Sequence, residues 1–114
     1  MFSEQEIRTK FIHDAARHLT EDEALILTHL LKIRKVNNEN CSVASVSKAL
    51  KIAQCNVRVA LGRMEVPNFV LKGKEKRKFV YAITQDGVTA LNFLMDAKIY
   101  PGRRAKIMDV VGKF

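Results

Sequence analysis

The sequence predicts a mainly α-helical domain with one small β-hairpin, an α+β fold. Helix-capping signatures begin at Ser3, Thr20 and Ser42, and apolar residues at helical spacing follow each of them. Two short runs rich in β-branched and aromatic residues, 69–72 and 78–84, flank a turn that contains glycine. We therefore expect four helices, a hairpin and a final helix, in that order.

The length and composition favour one compact unit. The chain has 114 residues, of which 47% are hydrophobic, enough for a single core but not for two ordinary domains. We expect one domain over 1–114, divided into an N-terminal helix (1–19), a central part (20–84) and a C-terminal helix with a basic tail (85–114).

Charge is distributed unevenly along the chain. Residues 1–31 hold three Lys or Arg against six Asp or Glu, whereas residues 32–114 hold seventeen against six. A basic middle and end predict an anionic partner. No apolar run is long enough to span a membrane, and the first six residues are acidic where a secretory signal would be basic. These features predict a cytoplasmic protein without a membrane partner.

The sequence offers little for catalysis or metal binding. Cys41 and Cys55 are too far apart for a Cys-x-x-Cys pair, and His13, His18 and His29 lack the spacing that places two imidazoles on one helical face. No glycine-rich phosphate loop or nucleophile motif is present. We therefore expect neither an enzyme nor a bound cofactor.

The first two helices differ in their apolar pattern. Helix one begins with a capping box over 3–6 and carries one stripe: Ile7, Phe11, Ile12, Ala15, Ala16 and Leu19. Helix two follows the capping box over 20–23, and its apolar residues cover more than one side: Ala24, Leu25, Ile26, Leu27, Leu30, Leu31 and Ile33. This second pattern predicts a central helix with neighbours on several sides.

A pair of short helices follows. In the third helix, capped by Ser42, the predicted inward residues are Val43, Val46, Ala49 and Leu50. In the fourth helix they are Val57, Ala60, Leu61 and Met64, which leaves an outer face of Gln54, Asn56, Arg58, Gly62 and Arg63. Pro67-Asn68 ends that helix, because asparagine tolerates a left-handed conformation.

The hairpin that comes next is strongly basic. Residues 72–78 hold five cations and one acid, and the predicted turn is 73–77. Such a run can be a solvated loop or a surface that contacts phosphates. Because this run directly follows a helix with a polar outer face, we favour a surface that contacts phosphates.

The last long helix begins after Thr84 as its cap. Its apolar stripe consists of Val88, Leu91, Leu94, Met95 and Ile99. Residues 100–102 should break this helix, and residues 103–111 could form one more short helix.

The order of these elements resembles that of the winged helix-turn-helix domain, and the local sequence pattern resembles that of the MarR and PadR groups of transcriptional regulators. The matching features are a capped helix over 42–50 ending Ala-Leu, a glutamine near the start of 54–65, the basic hairpin, and Thr-x-x-Gly at 84–87. Three positions depart from the pattern: Ala53 replaces a capping Ser or Thr, Asn68 replaces Gly, and Val59 replaces a common polar residue.

The resemblance implies a sequence-specific regulator of transcription that binds double-stranded DNA as a homodimer, in the nucleoid. By position, the base contacts would be Gln54, Asn56 and Arg58. The phosphate contacts would be Ser42, Ser45, Arg63, Lys72, Lys74, Lys76, Arg77 and Lys78. The apolar stripes of the first and last helices would supply a dimer interface through Phe11, Ile12, Leu91, Leu94, Met95 and Ile99.

Other interpretations remain open at this stage. The predicted base-contacting residues could face water on a structural helix, and the two apolar stripes could close the core of a monomer. The protein could also coat DNA without sequence preference, or bind another protein. Cys55 could be a redox switch, although an incidental cysteine accounts for it as well. A small-molecule effector is neither indicated nor excluded by the sequence.

Overall fold

The computed structural model describes residues 3–96. The helices and strands, in chain order, are α1 (Glu4–Ala16), α2 (Glu21–Asn37), β1 (Cys41–Ser42), α3 (Val43–Leu50), α4 (Gln54–Glu65), β2 (Val70–Glu75), β3 (Lys78–Ile83) and α5 (Gln85–Asp96). The strands form an antiparallel sheet in the order β1-β3-β2. This is a winged helix-turn-helix, mainly α with a small sheet, and it confirms the predicted fold class.

The predicted helix caps are present. The Ser3 hydroxyl accepts a hydrogen bond from the Glu6 N–H at 3.2 Å, and the Thr20 hydroxyl accepts one from the Glu23 N–H at 3.2 Å. The Thr20 hydroxyl also donates to the Glu23 carboxylate at 3.0 Å. Each cap satisfies a backbone N–H that lacks an intrahelical partner, which fixes where its helix begins.

Helix α2 lies at the centre of the core, as its apolar pattern predicted. It packs against α3, α4, α5 and β3, and Ile26 and Leu27 are fully buried. The Thr28 hydroxyl, also buried, donates to the Ala24 carbonyl at 2.7 Å. A helix with neighbours on several sides can bury side chains around most of its circumference.

Helix α1 does not bury its whole predicted stripe. Ile12, Ala16 and Leu19 enter the core, but Ile7 and Phe11 remain 59% and 57% exposed. Helix α1 packs mainly against α5, so a single neighbour covers only part of its apolar surface. Ala49 of α3, also predicted to face inward, is exposed as well.

The hairpin is longer than predicted and its turn is tighter. Strands β2 and β3 pair from Val70 opposite Ile83 to Glu75 opposite Lys78, so Gly73 lies within β2 rather than in the turn. Lys76 and Arg77 form the turn, with φ of 46° and 69°. Left-handed residues at both turn positions match the twist of paired strands. Glycine suggested a turn at 73–77, but cross-strand pairing through Glu75 and Lys78 confines the turn to Lys76 and Arg77.

Strand β1 is an element that the sequence did not predict. It has only two residues, and Cys41 pairs with Tyr81 while Ser42 pairs with Val80. A strand of this length has no measurable periodicity, so tertiary pairing alone defines it. Its effect is to fix the start of α3 against the middle of β3.

The root of the hairpin is locked onto the start of α5. Asn68 is left-handed, with φ of 62°, and its carbonyl accepts a hydrogen bond from the Thr84 hydroxyl. The same hydroxyl accepts from the Gly87 N–H at 3.0 Å, which confirms Thr84 as the helix cap. A Cβ at Gly87 would lie 2.4 Å from the Phe69 carbonyl oxygen. Glycine is therefore required here for close packing.

Several predictions fall outside the described residues. Ile99, the helix break at 100–102 and the short helix over 103–111 belong to this group. The extent of the single predicted domain over 1–114 therefore stays a prediction.

Candidate nucleic-acid interface

The exposed side of α4 has an apolar crest. Successive residues of an α-helix are about 100° apart, so the side opposite the buried residues Val57 and Leu61 carries Cys55, Val59 and Gly62. Val59 is 60% exposed, and a Cβ on Gly62 would meet no atom within 4 Å. The outermost surface of α4 is therefore made of small side chains. From the sequence, only the replacement of a polar residue by Val59 pointed to this feature.

Polar side chains flank this crest on both sides. Gln54 and Arg58, one helical turn apart, lie together, and the Arg58 guanidinium donates to the Gln54 side-chain oxygen at 3.4 Å. By helical position, Asn56 lies on the other side of the crest, near Arg63. The three predicted base-contacting residues are all exposed, but they form two groups rather than one cluster.

Acidic residues of α2 approach one of these groups. A cleft of about 340 Å³ is lined by Asn56 and Arg63 together with Asp22 and Glu23. These carboxylates lower the positive potential around Arg63. Gln54 and Arg58 do not line this cleft, so their side of α4 lies away from these two carboxylates and is the more favourable side for an anionic partner.

The start of α4 has no side-chain cap. Ala53 precedes the helix and makes no capping hydrogen bond, so N–H groups of the first turn keep their capacity to donate to an anion. The adjacent Cys55 is an exposed free cysteine, and its thiol lies 3.7 Å from the Asn56 side-chain oxygen.

Ser42 and Ser45 are predicted to contact phosphates, but their hydroxyls already make hydrogen bonds at the start of α3. The Ser42 hydroxyl accepts from the Ser45 N–H at 3.2 Å, and the Ser45 hydroxyl donates to the Ser42 carbonyl at 3.0 Å. Both serines line a cleft with His29 and Cys41. Burial lowers the pKa of His29, with nearby Lys32 acting in the same direction.

Cys41 is another titratable group of that cleft. Burial raises the pKa of the Cys41 thiol, and the charge of Glu39 raises it further. A thiol that is held in its neutral form is a poor nucleophile. Cys41 therefore behaves as a small core residue.

The hairpin β2–β3 presents a continuous cationic surface. Every residue from Leu71 to Phe79 is exposed, including all five cations of 72–78. Lys76 and Arg77 occupy the tip, whereas Lys78 stands opposite Glu75, whose carboxylate accepts from the Asn40 side chain at 3.1 Å. We call the surface formed by residues 72–79 the wing.

An aromatic ring lies within the wing. The Lys72 ammonium is 4.1 Å from the centre of the Phe79 ring, and the Lys74 ammonium is 5.9 Å from it. Phe79 is 54% exposed. Sequence reasoning assigned it to a strand and missed this exposure, since its strand neighbours Val80 and Tyr81 are both buried.

The predicted dimer-interface residues divide between core and surface. Ile12, Leu91 and Leu94 fill the core of the protomer, whereas Phe11 is exposed and Met95 is half-buried. Between α1 and α5, the His13 ring stacks on Phe93 with centroids 4.0 Å apart. Among the described residues of that list, Phe11 therefore offers the largest free apolar surface.

A third concave surface lies at the root of the wing. This cleft of about 600 Å³ is lined by residues from α1, α2, β2 and α5, among them Arg8, Arg34 and Asp86. The Arg8 guanidinium donates to both carboxylate oxygens of Asp86, at 2.8 and 3.0 Å. The Asn68 side-chain amide donates to the same carboxylate at 3.3 Å. One buried carboxylate thus connects α1 and α5 to the residue between α4 and the wing.

Two kinds of feature are absent from the described part of the chain. Over residues 3–96, no helix is both long and apolar enough to cross a membrane. Within the same range, no three His, Cys, Asp or Glu side chains are grouped so that they could hold a metal ion.

Comparison with known proteins supports the fold. The structure of BpsR from Bordetella bronchiseptica, a protein whose DNA binding is regulated by 6-hydroxynicotinic acid, is similar to this chain with a TM-score of 0.51. The two share 18% sequence identity, and the similarity covers 96% of this chain and 84% of BpsR. No protein-family model and no curated protein sequence matches the chain. The chain thus shares the fold of a DNA-binding protein, with no family assigned.

Proposed function

We propose that the protein is a regulator of transcription that binds specific sites on double-stranded DNA as a homodimer. The observation that carries this proposal is the adjacency of two surfaces. Helix α4 exposes amide and guanidinium side chains away from the core, and β2, the strand that leads into the cationic wing, begins five residues after α4 ends. The major groove of B-DNA accommodates one α-helix, and the wing would then meet the flanking backbone.

In this proposal α4 carries the contacts to bases. Gln54 and Arg58 can donate to base edges in the major groove, and Asn56 would do so from the other side of the crest. The small, exposed Val59 between them would contact the methyl groups of thymine. Because few polar side chains on α4 can contact bases, we expect the DNA site to have thymines at the centre of the sequence that α4 contacts.

Phosphate contacts would position the protein without carrying sequence information. The proposed residues are Ser42, Ser45, Arg63, Lys72, Lys74, Lys76, Arg77 and Lys78. With about six such contacts, the logarithm of the binding constant should fall with the logarithm of the salt concentration with a slope of about −5. The acids beside Arg63 make it the weakest of the cations in this set.

The homodimer would use the exposed surface of α1 at Phe11, together with Met95 and Ile99 of the C-terminal region. Ile12, Leu91 and Leu94 would support that interface from the core rather than touch the partner. Two copies of α4 related by a two-fold axis would then read half-sites about 34 Å apart.

A non-specific DNA-coating protein is the second candidate. The apolar crest of α4 favours it, because few side chains there can distinguish base pairs, whereas the wing needs only phosphates. A winged helix that binds proteins is a third class, and it does not account for the cations of the wing.

Selection of bound DNA from a random duplex pool at physiological salt tests the proposal. An enriched inverted repeat is the expected result. Retention of DNA without enrichment would indicate the coating protein. Absence of retention would exclude both DNA-binding functions and leave protein binding.

A further inference from the structure

The exposed aromatic ring of the wing has no structural role in the core that would account for its position. Phe79 is 54% exposed and stands directly opposite Lys74 in the β2–β3 register. An exposed aromatic side chain on a strongly cationic hairpin indicates a partner with both negative charge and apolar surface. Nucleic acid has both, in its phosphates and in its sugars and bases.

The register of the hairpin places Phe79 near its far end. Strand residues rise about 3.4 Å each, so the Lys74–Phe79 pair lies about 14 Å beyond the buried Val70 at the root. Only the Glu75–Lys78 pair and the turn residues Lys76 and Arg77 lie further out. The ring is therefore at the part of the wing that would reach deepest into a groove.

Two ammonium groups share the immediate surroundings of the ring. The Lys72 and Lys74 ammonium groups lie 4.1 Å and 5.9 Å from the ring centroid. Since the phosphates and sugars of a strand alternate, a ring beside two ammonium groups reaches the sugar when those groups reach neighbouring phosphates. Lys72 also occupies one face of the ring, so the ring cannot be stacked on both faces between base pairs.

We infer that Phe79 is a DNA-positioning residue, which lies against deoxyribose in the minor groove next to the site of α4 while Lys72 and Lys74 bind the adjacent phosphates. This inference rests on the proposed binding of duplex DNA and adds to it a contact that does not depend on base sequence. The apolar contact fixes how deep the wing enters, and the cations supply the attraction.

A titration of wild type and variants tests the inference. The probe is a labelled duplex of about 30 base pairs, long enough for two half-sites one helical turn apart, taken from the selection or of mixed sequence if none is enriched. Phe79→Ala should weaken binding about tenfold, since it removes roughly one aromatic ring from a buried contact. Its salt dependence should match that of wild type, because no charge is lost.

The hairpin supplies a matched control. Leu71 is also exposed, at 61%, but alternation along β2 places it on the opposite face from Lys72 and Lys74. Leu71→Ala should change affinity less than twofold, which corresponds to about 0.4 kcal/mol. Phe79→Leu, which keeps an apolar side chain, should retain most of the affinity and shows that the hairpin still folds.

Hydroxyl-radical footprinting reads the contact directly, because the radical attacks deoxyribose. Wild type should protect a short run of minor-groove sugars beside the α4 site, and Phe79→Ala should restore cleavage there while the rest of the footprint remains. Lys72→Gln with Lys74→Gln should instead reduce the magnitude of the salt slope by about two.

The outcomes separate this inference from the proposed function. If wild type binds the duplex with a steep salt slope but Phe79→Ala binds equally well with an unchanged footprint, the role of Phe79 is wrong and duplex binding stands. A tighter complex of wild type with single-stranded than with duplex DNA would also overturn it. If wild type does not bind duplex DNA, both proposals fail.

Discussion

At the residue scale, two glycines in helices have opposite requirements. Gly87 lies against the Phe69 backbone, where an added Cβ would be 2.4 Å from the carbonyl oxygen. Gly62 of α4 faces open space. Position 87 therefore tolerates no side chain. Gly62 has no such packing requirement, and its effect is only to lower the stability of α4.

Alanine at each position separates these two roles. Gly87→Ala should lower the free energy of unfolding by about 3 kcal/mol, because the backbone of Phe69 must move. Gly62→Ala should raise it by about 0.5–1 kcal/mol, because alanine restricts the unfolded chain and favours the helix. Urea unfolding followed by circular dichroism measures both. Equal effects of the two substitutions would contradict the packing described at the root of the wing.

Val59 is the residue whose proposed contact has the most specific chemical signature. Replacing the central thymines of the selected site by uracil removes only the 5-methyl groups. This change should weaken the binding of wild type several-fold, since each lost apolar contact is worth about 1 kcal/mol. The same change should have little effect on the Val59→Ala variant.

Comparison of all four combinations of protein and DNA measures this coupling. Thymine-to-uracil changes outside the α4 site serve as the control and should leave the affinity unchanged. Additive effects of Val59→Ala and uracil would show that Val59 does not contact the methyl groups.

At the element scale, the turn of the wing is built from residues that do not favour its conformation. Lys76 and Arg77 are both left-handed, where Asn-Gly is the preferred pair. Non-glycine residues in this region cost about 1 kcal/mol or more each. The tip of the wing thus carries two cations in a conformation that their backbones disfavour. This cost indicates that the two positive charges serve a function.

Replacing the turn by Asn-Gly should therefore change stability and DNA binding in opposite directions. Lys76→Asn with Arg77→Gly should raise the free energy of unfolding by about 1 kcal/mol. It should also weaken DNA binding and reduce the magnitude of the salt slope by about two, because two phosphate contacts are lost. Thermal unfolding and a salt titration of binding measure the two effects.

A control variant removes the same charge from elsewhere. Arg17→Gln with Lys32→Gln takes two exposed cations from the end of α1 and from α2 and should leave the salt slope close to that of wild type. If both double variants lowered the slope equally, net charge rather than the wing would govern binding.

At the scale of the whole molecule, the exposed surface of α1 is where a second copy would bind. Ile7 and Phe11, one helical turn apart, are both more than half exposed, and Glu6, Lys10 and Asp14 border them. An apolar pair with charges of both signs around it can pair with its own copy about a two-fold axis.

We expect a dimer of the 12.9 kDa chain at micromolar concentration. Ile7→Glu with Phe11→Glu should yield monomers, because it places carboxylates in an apolar contact. Sedimentation velocity measures the state. Val36→Glu, at another exposed apolar position on α2 (67%), should remain dimeric. A wild-type monomer would exclude this arrangement of half-sites.

Much of the fold was predictable because its signals are local. Capping at Ser3, Thr20 and Ser42 depends on neighbours three residues away, and the central place of α2 follows from an apolar pattern around its circumference. The basic segment 72–78 and the polar residues of α4 could likewise be located from sequence spacing alone.

Tertiary structure decided the features that depend on distant partners. Pairing with β3 placed Gly73 within a strand and moved the turn to Lys76-Arg77. Helix α1 packs mainly against α5, which leaves Phe11 exposed, while Ile12, Leu91 and Leu94 were taken into the core. Cross-strand register brought Phe79 beside Lys72 and Lys74 on one face. The sequence determined helix starts, the central helix and the charge of the wing because those are short-range properties; which apolar residues stay exposed depends on which neighbour covers each surface, and only the folded chain specifies that.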